Sequence, residues 1–442
     1  MAPLVVINVV GLTPALLAHM PNVAKVGNAA SLRPVLPAVT CTMQATLLTG
    51  TMPREHGIVG NGWYFRDLGE IFLWRQHNAL IQGEQLWSAV PGARTANVCW
   101  WYAMGAASDI LVTPRPIYHA DGRKSPDCYT RPPSLHDALE AELGTFPLFN
   151  YWGPTAGIAS TRWIVGAARH ILHAERPDLL MVYVPHLDYD LQRYGPAGPE
   201  AVAAARQVDA ALTPLLAEDA TIVIVSEYGI TPAARPVNIN RALRSAGLLE
   251  VYTQAGMEYL DPWASRAFAV ADHQLAHVYV RDPADLERTR AVIAELPGVD
   301  ELLDRTGQAK YGLDHERAGE LVAVAEPDAW FTYYYWLSDD RAPDFARLVD
   351  IHRKPGYDPA ELFMDPSDPF VKVRAGMALA RKLLGFRYTM SVIPLDPSPV
   401  RGSHGRLPDS PADGPLLLGP FDRDAYESTA VKDLLIGLLN DA

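Results

Sequence analysis

Three near-continuous apolar runs, Leu4 to Val10 (LVVINVV), Leu179 to Val184 (LLMVYV) and Thr221 to Val225 (TIVIV), set the tightest limit on how this chain folds. A strand that reads apolar throughout has no face for water. It must be covered on both sides, as in a parallel sheet flanked by helices. Helix-like sequence follows the first run at Pro14 to Leu17 and separates the other two at Ala201 to Leu216. The runs therefore predict an α/β fold with a doubly wound, mostly parallel central sheet. Such sheets bind ligands beyond the carboxyl ends of their strands, so the polar residues after each run matter most.

With 442 residues, 49% of them hydrophobic, the chain is long enough for one large core and an inserted subdomain. The segment 232–336 changes character and reads as an α+β cap between core pieces 1–231 and 337–442. Within it, Ala267 to Val280 reads as one strand with His273 and His277 on the same face. That pair is either a half-buried polar face or a contact to substrate. A helix over Asp285 to Leu296 follows. From Ser338 a proline-broken return loop holds Arg341, His352, Arg353 and Lys354, which either pair with neighbouring aspartates or meet an anion. A helix over Phe370 to Leu384, a short strand at Val392-Ile393, a glycine-flanked loop presenting His404 and a closing helix over Tyr426 to Leu439 complete the reading.

Charge and cysteine content narrow the function classes. Lys and Arg number 38 against 51 Asp and Glu, so the net charge of −13 argues against a nucleic-acid polymer or an anionic membrane as partner. Cys41, Cys99 and Cys128 show no CxxC spacing, which predicts neither a disulfide framework nor a cysteine-zinc site. The apolar start lacks a basic region, and no run of about 18 apolar residues occurs. A cytoplasmic setting is the expectation.

The stretch Leu36 to Gly62 (LPAVTCTMQATLLTGTMPREHGIVGNG) holds the chemistry. Thr42 to Leu48 reads as a short helix, which puts Thr40 and Cys41 at its N-terminus, where free N–H groups favour an anion. Thr40 is thus a helix cap or a phosphate-facing hydroxyl. In PAVT, LLTG and PREHGIVGN, the stretch resembles the nucleophile segment of the type I phosphodiesterase/nucleotide pyrophosphatase family of the alkaline phosphatase superfamily, most closely its phosphonoacetate hydrolase branch. The resemblance implies that Thr40 is the nucleophile or phosphate anchor and that His56 to Asn61 close the turn after its helix.

The same resemblance implies two metal ions, usually zinc, held by six Asp and His side chains from four segments: the end of the first strand, DxxxHxxGP, SDHG and GxHG. All four segments are present with changed ligands. Val10 precedes Gly11 where an aspartate is expected, PHLDYDLQRYGP keeps Asp188 but has Gln192 at the histidine position, and VSEYGI puts Glu227 and Tyr228 in place of aspartate and histidine. GSHG keeps His404. The usual two-zinc centre is therefore not expected. Asp188, Asp190 and His404, with His186 or Glu227 nearby, suit at most one divalent ion, zinc, manganese or magnesium. The reading is a divergent hydrolase of a small organic phosphate or phosphonate: Thr40, Glu227 and Tyr228 catalytic, Asn61, His273, Arg341 and Lys354 on the substrate. Its rivals are a non-catalytic phosphate-ligand binder and a metal-independent enzyme using the same pocket, with Glu227 or Tyr228 as acid or base.

Overall fold

The computed structural model describes residues 2–121 and 123–441. Nine strands form the central sheet in the order Ala425–Glu427, Asn28–Arg33, Leu416–Gly419, Thr221–Val225, Leu4–Val9, Leu179–Val184, Thr95–Val98, Ile110–Pro114, Cys128–Arg131. The five strands from Thr221–Val225 to Ile110–Pro114 are parallel, and antiparallel pairing begins at Leu416–Gly419 on one side and Cys128–Arg131 on the other. Every residue of Leu4–Val9 and Leu179–Val184 is buried, as all-apolar strands require. Helices Ile158–Ala174 and Pro199–Leu216 pack through their apolar faces into the same hydrophobic cluster as the sheet.

A second hydrophobic cluster joins the helix Thr40–Thr49 to a four-stranded antiparallel sheet ordered Ala267–Asp272, Leu275–Val280, Leu321–Ala325, Val299–Leu303. Cys41 and Ala45 lie in it beside Phe268, Val270 and Leu275. The region read as a cap thus shares its apolar core with the helix that begins at Thr40.

Four local expectations are corrected. Ala267 to Val280 is a hairpin, not one strand: Asp272 pairs with Leu275, and His273 and Gln274 make the turn. Val392-Ile393 is irregular rather than a strand, held by Asp365 N–H to Val392 O at 2.7 Å and Ile393 N–H to Arg347 O at 3.1 Å. The last helix is Val431–Asp441, because Ala425–Glu427 extends the sheet edge beside Asn28–Arg33. The helix in the stretch Leu36 to Gly62 starts at Thr40 itself, with Val39 as its extended N-cap. Among the described residues, no helix is long and apolar enough to cross a membrane.

Candidate active site

The carboxyl ends of the three middle strands supply the site. Leu4–Val9, Leu179–Val184 and Thr221–Val225 are parallel and adjacent, so Asn8, His186 to Gln192, and Glu227-Tyr228 emerge on one edge. The helix Thr40–Thr49 brings Thr40 to that edge. Its hydroxyl does not cap the helix; Oγ1 lies 3.0 Å from Tyr228 Oη. Tyr228 donates onward to Asp188 Oδ1 at 3.4 Å, so Thr40 is left to donate to the phenol oxygen. The result is a hydroxyl, phenol, carboxylate chain built from three separate segments.

Asp188 sits on the helix His186–Tyr194 and also accepts from Gln192 Nε2 at 2.8 Å, one turn along the same face. Burial pushes its carboxyl up to about 7, against the opposing hydrogen bonds of Gln192 and Tyr228. Glu227 is fully buried. Its Oε1 accepts from Asn8 Nδ2 at 2.5 Å and Gln44 Nε2 at 2.6 Å, while Oε2 is buried without a hydrogen-bond partner. Burial raises its pKa to about 8, outweighing the hydrogen bonds from Gln44 and Asn8. Two carboxyls beside Thr40 are thus tuned to change charge near neutral pH.

Four rings stack in a column above this chain. Tyr228 lies 3.6 Å from His404 with planes 7° apart, His404 lies 3.8 Å from His273, and His273 lies 3.5 Å from Tyr357. His404 Nδ1 donates to Ala38 O at 2.8 Å, and its Nε2, 3.7 Å from Asp188 Oδ1, has no hydrogen-bond partner. Burial holds both imidazoles well below the ordinary histidine range, so they are neutral. Gly405 is constrained by the approach: φ is +121°, and a Cβ there would meet Gln274 N at 3.0 Å. Trp74 and Trp152 pack on Tyr357, and Trp101 on Trp74.

Asn61 closes the turn after the helix. Its Oδ1 accepts from Cys41 N–H at 2.9 Å, and its Nδ2 and N–H donate to Asp272 at 2.9 and 2.7 Å. His56 is the other fixed point: it accepts from Ile58 N–H through Nδ1 and faces Thr46 Oγ1 at 3.0 Å through Nε2. Asp272 also accepts from His273 Nδ1 at 2.7 Å, tying the hairpin turn to Asn61 and the stretch that holds Thr40.

Several residues singled out in the sequence are engaged elsewhere. Asp190 lies two residues from Asp188, on another face of the helix, and pairs with Arg193 at 3.0 Å. Arg341 is half exposed and paired with Glu258 at 2.9 Å. Lys354 is buried between Asp358 and Glu361, each 2.7 Å away; burial would lower its pKa, but the two carboxylates outweigh it and raise it. His277 shares no face with His273: its Nε2 donates to Val59 O at 2.8 Å. Sequence reasoning did not single out Asn8, Gln44, Asp272 or Tyr357. Only Asn8, a polar residue inside an apolar strand, carried a local signal.

The donors do not fit two metal ions. Val10 is hydrocarbon in the main core, both ends of the Gln192 amide are hydrogen-bonded, and the Tyr228 phenol is kept protonated by burial and held by Thr40. Asp188 Oδ1 and His404 Nε2 do converge, but catalytic zinc sites carry three protein ligands. The cleft reaching Tyr228, bounded by Ala38, Gly229, Gln274 and Arg406, holds about 50 Å³. Thr40 itself is buried, 4% exposed.

Comparison with known proteins agrees with this architecture. Phosphonoacetate hydrolase from Sinorhizobium meliloti 1021, solved with phosphonoformate, superposes with a TM-score of 0.64 at 18% identity, covering 99% of this chain and 96% of that one. Murine ectonucleotide pyrophosphatase/phosphodiesterase 5, solved as an inactive threonine-to-alanine variant with AMP, gives 0.59 at 15% identity, covering 100% and 95%. The model of the type I phosphodiesterase/nucleotide pyrophosphatase family matches residues 4–358, from the first strand through the stretch that holds Thr40 to Asp358. The chain therefore belongs to that family, the phosphoester hydrolases of the alkaline phosphatase superfamily.

Proposed function

We propose that the protein hydrolyses a small organic phosphate ester, diester or phosphonate, with Thr40 as nucleophile and Tyr228, Asp188 and Glu227 moving its protons. The observation that carries this reading is the 3.0 Å bond from Thr40 Oγ1 to Tyr228 Oη, continued to Asp188. Thr40 oxygen attacks phosphorus while its proton passes to the Tyr228 oxygen and the phenol proton passes to Asp188. The leaving group departs with its electron pair and takes a proton from Glu227, which burial keeps protonated below about pH 8. Water then attacks the phosphothreonine, giving a proton to Glu227, and Thr40 recovers its own from Asp188 through Tyr228. The helix N-terminus at Thr40 favours the phosphate oxygens. The ligands of the S. meliloti and murine proteins, phosphonoformate and AMP, support a substrate of that size and charge.

The unpartnered His404 Nε2, with Asp188 Oδ1 3.7 Å away, favours a second reading: one divalent ion, zinc, manganese or magnesium, between them. Turnover of p-nitrophenyl phosphate mono- and diesters and phosphonoacetate by chelator-treated protein separates the readings. Turnover that survives chelation and vanishes in Thr40→Ala is the expected result. Turnover that returns only with added ion favours the second reading. Saturable phosphate binding without turnover in either state makes the protein a non-catalytic binder and overturns both.

A further inference from the structure

Away from Thr40, a different set of donors converges at the sheet's edge. We propose that Asp127, Cys128 and His136 form a binding site for one zinc-like divalent ion, independent of the Thr40 site. One ligand atom from each, a carboxylate oxygen, a thiol sulfur and an imidazole nitrogen, lies within 4.8 Å of the others. Among the described residues this is the one group of three such side chains so arranged.

The site is oriented as well as crowded. Asp137 Oδ1 faces His136 Nδ1 at 3.2 Å, which turns Nε2 inward to within 2.7 Å of Asp127 Oδ1. A carboxylate behind a histidine in this way fixes the ring and its tautomer at zinc sites. Asp127 Oδ1 is itself held by Cys128 N–H at 2.7 Å, leaving Oδ2 for an ion. The bland alternative is a proton bridging His136 and Asp127. An ion takes the place of that proton and adds the thiolate, which the proton cannot use.

Donor chemistry selects the ion. Thiolate with imidazole suits zinc or cobalt and disfavours magnesium or calcium, and three protein ligands leave the fourth tetrahedral position to water. All three residues are half-buried, so the site is open to a passing ion, whereas Cys41 and Cys99 are buried. Cys128 opens the edge strand Cys128–Arg131 and His136 lies in the first turn of the helix Ser134–Leu143, so the ion clips that helix to the sheet. The strand lies four places from Leu4–Val9, roughly 19 Å across the sheet at ordinary strand spacing.

Cobalt(II) titration of the reduced, chelator-treated full chain tests the proposal. One equivalent should bind with a thiolate-to-cobalt charge-transfer band, displaced by zinc. Cys128→Ser should abolish the band and His136→Gln should weaken binding at least tenfold, while Asp188→Asn leaves the band unchanged. No band in the wild type, a band surviving in Cys128→Ser, or a band lost in Asp188→Asn would overturn the assignment. Mapping alkylation on the unsubstituted chain removes any dependence on folding of the variants: zinc should slow modification of Cys128, and an unchanged rate counts against the site.

Discussion

Tyr228 occupies the position where the family pattern calls for a metal-binding histidine, and its burial keeps the phenol protonated, so it bridges Thr40 and Asp188 instead of releasing a proton to an ion. Tyr228→Phe keeps the ring on His404 but removes the bridge. It should lower kcat by about 10²-fold or more, the usual worth of a positioned proton-transfer group, with a stability change of about 1 kcal/mol. Steady-state kinetics beside urea unfolding checks both; a variant with wild-type kcat would remove Tyr228 from the relay. Thr40→Ala should abolish turnover at a similarly small cost in stability, since its hydroxyl bonds one phenol and caps nothing. The pH profile follows from the two carboxyls. Asp188 must be ionised, which gives a rising limb near 7, and Glu227 must be protonated, which gives a falling limb near 8. A narrow bell in kcat/KM is expected, with limbs that belong to the interacting pair.

At the scale of elements, the hairpin Ala267–Asp272/Leu275–Val280 shows how a turn escapes a sequence reading. Neither glycine nor proline marks it. His273 adopts φ +61°, where a side chain is strained, and the surrounding packing enforces the geometry by stacking the ring between Tyr357 and His404. Asp272 anchors this turn by accepting from Asn61 twice and from His273. Asp272→Ala leaves those donors buried and unpaired, so a loss of about 1–3 kcal/mol per orphaned group is expected in urea unfolding. An unchanged midpoint would mean that the turn does not depend on this anchor. The helix His186–Tyr194 teaches the converse lesson: once the segment is helical, 100° per residue separates Asp188 from Asp190, and only Asp188 reaches Tyr228.

Over the whole molecule, buried charge is the feature with the largest consequences for stability. Lys354, Asp358 and Glu361 form a closed triad, and Lys354→Met strands two carboxylates, for an expected loss of about 3–5 kcal/mol. Denaturant titration would expose a smaller role if the loss stays below about 1 kcal/mol. Asp188 and Glu227 act in the opposite sense. Their folded pKa values lie above the ordinary ones, so at these two groups the folded state binds more protons than the unfolded state; the stability they contribute is fullest at acidic pH and is lost as pH rises toward about 8. Above about pH 7, where the buried histidines are neutral in the unfolded state as well, melting temperature should fall toward about pH 8, and Glu227→Gln should flatten that slope. The central sheet and the body of the helix Thr40–Thr49, though not its start, were readable from sequence because each rests on a local pattern, apolar continuity or helix periodicity. The resemblance of short motifs put forward Thr40, Asp188 and His404 as site residues and the turn from His56 to Asn61 as closing the helix. The partners of Glu227, the column of rings and the particular carboxylates that Arg341 and Lys354 pair with were not readable. Asn8 meets Glu227 across 219 residues and Ala38 meets His404 across 366, and no local pattern encodes which side chains packing brings together at such separations.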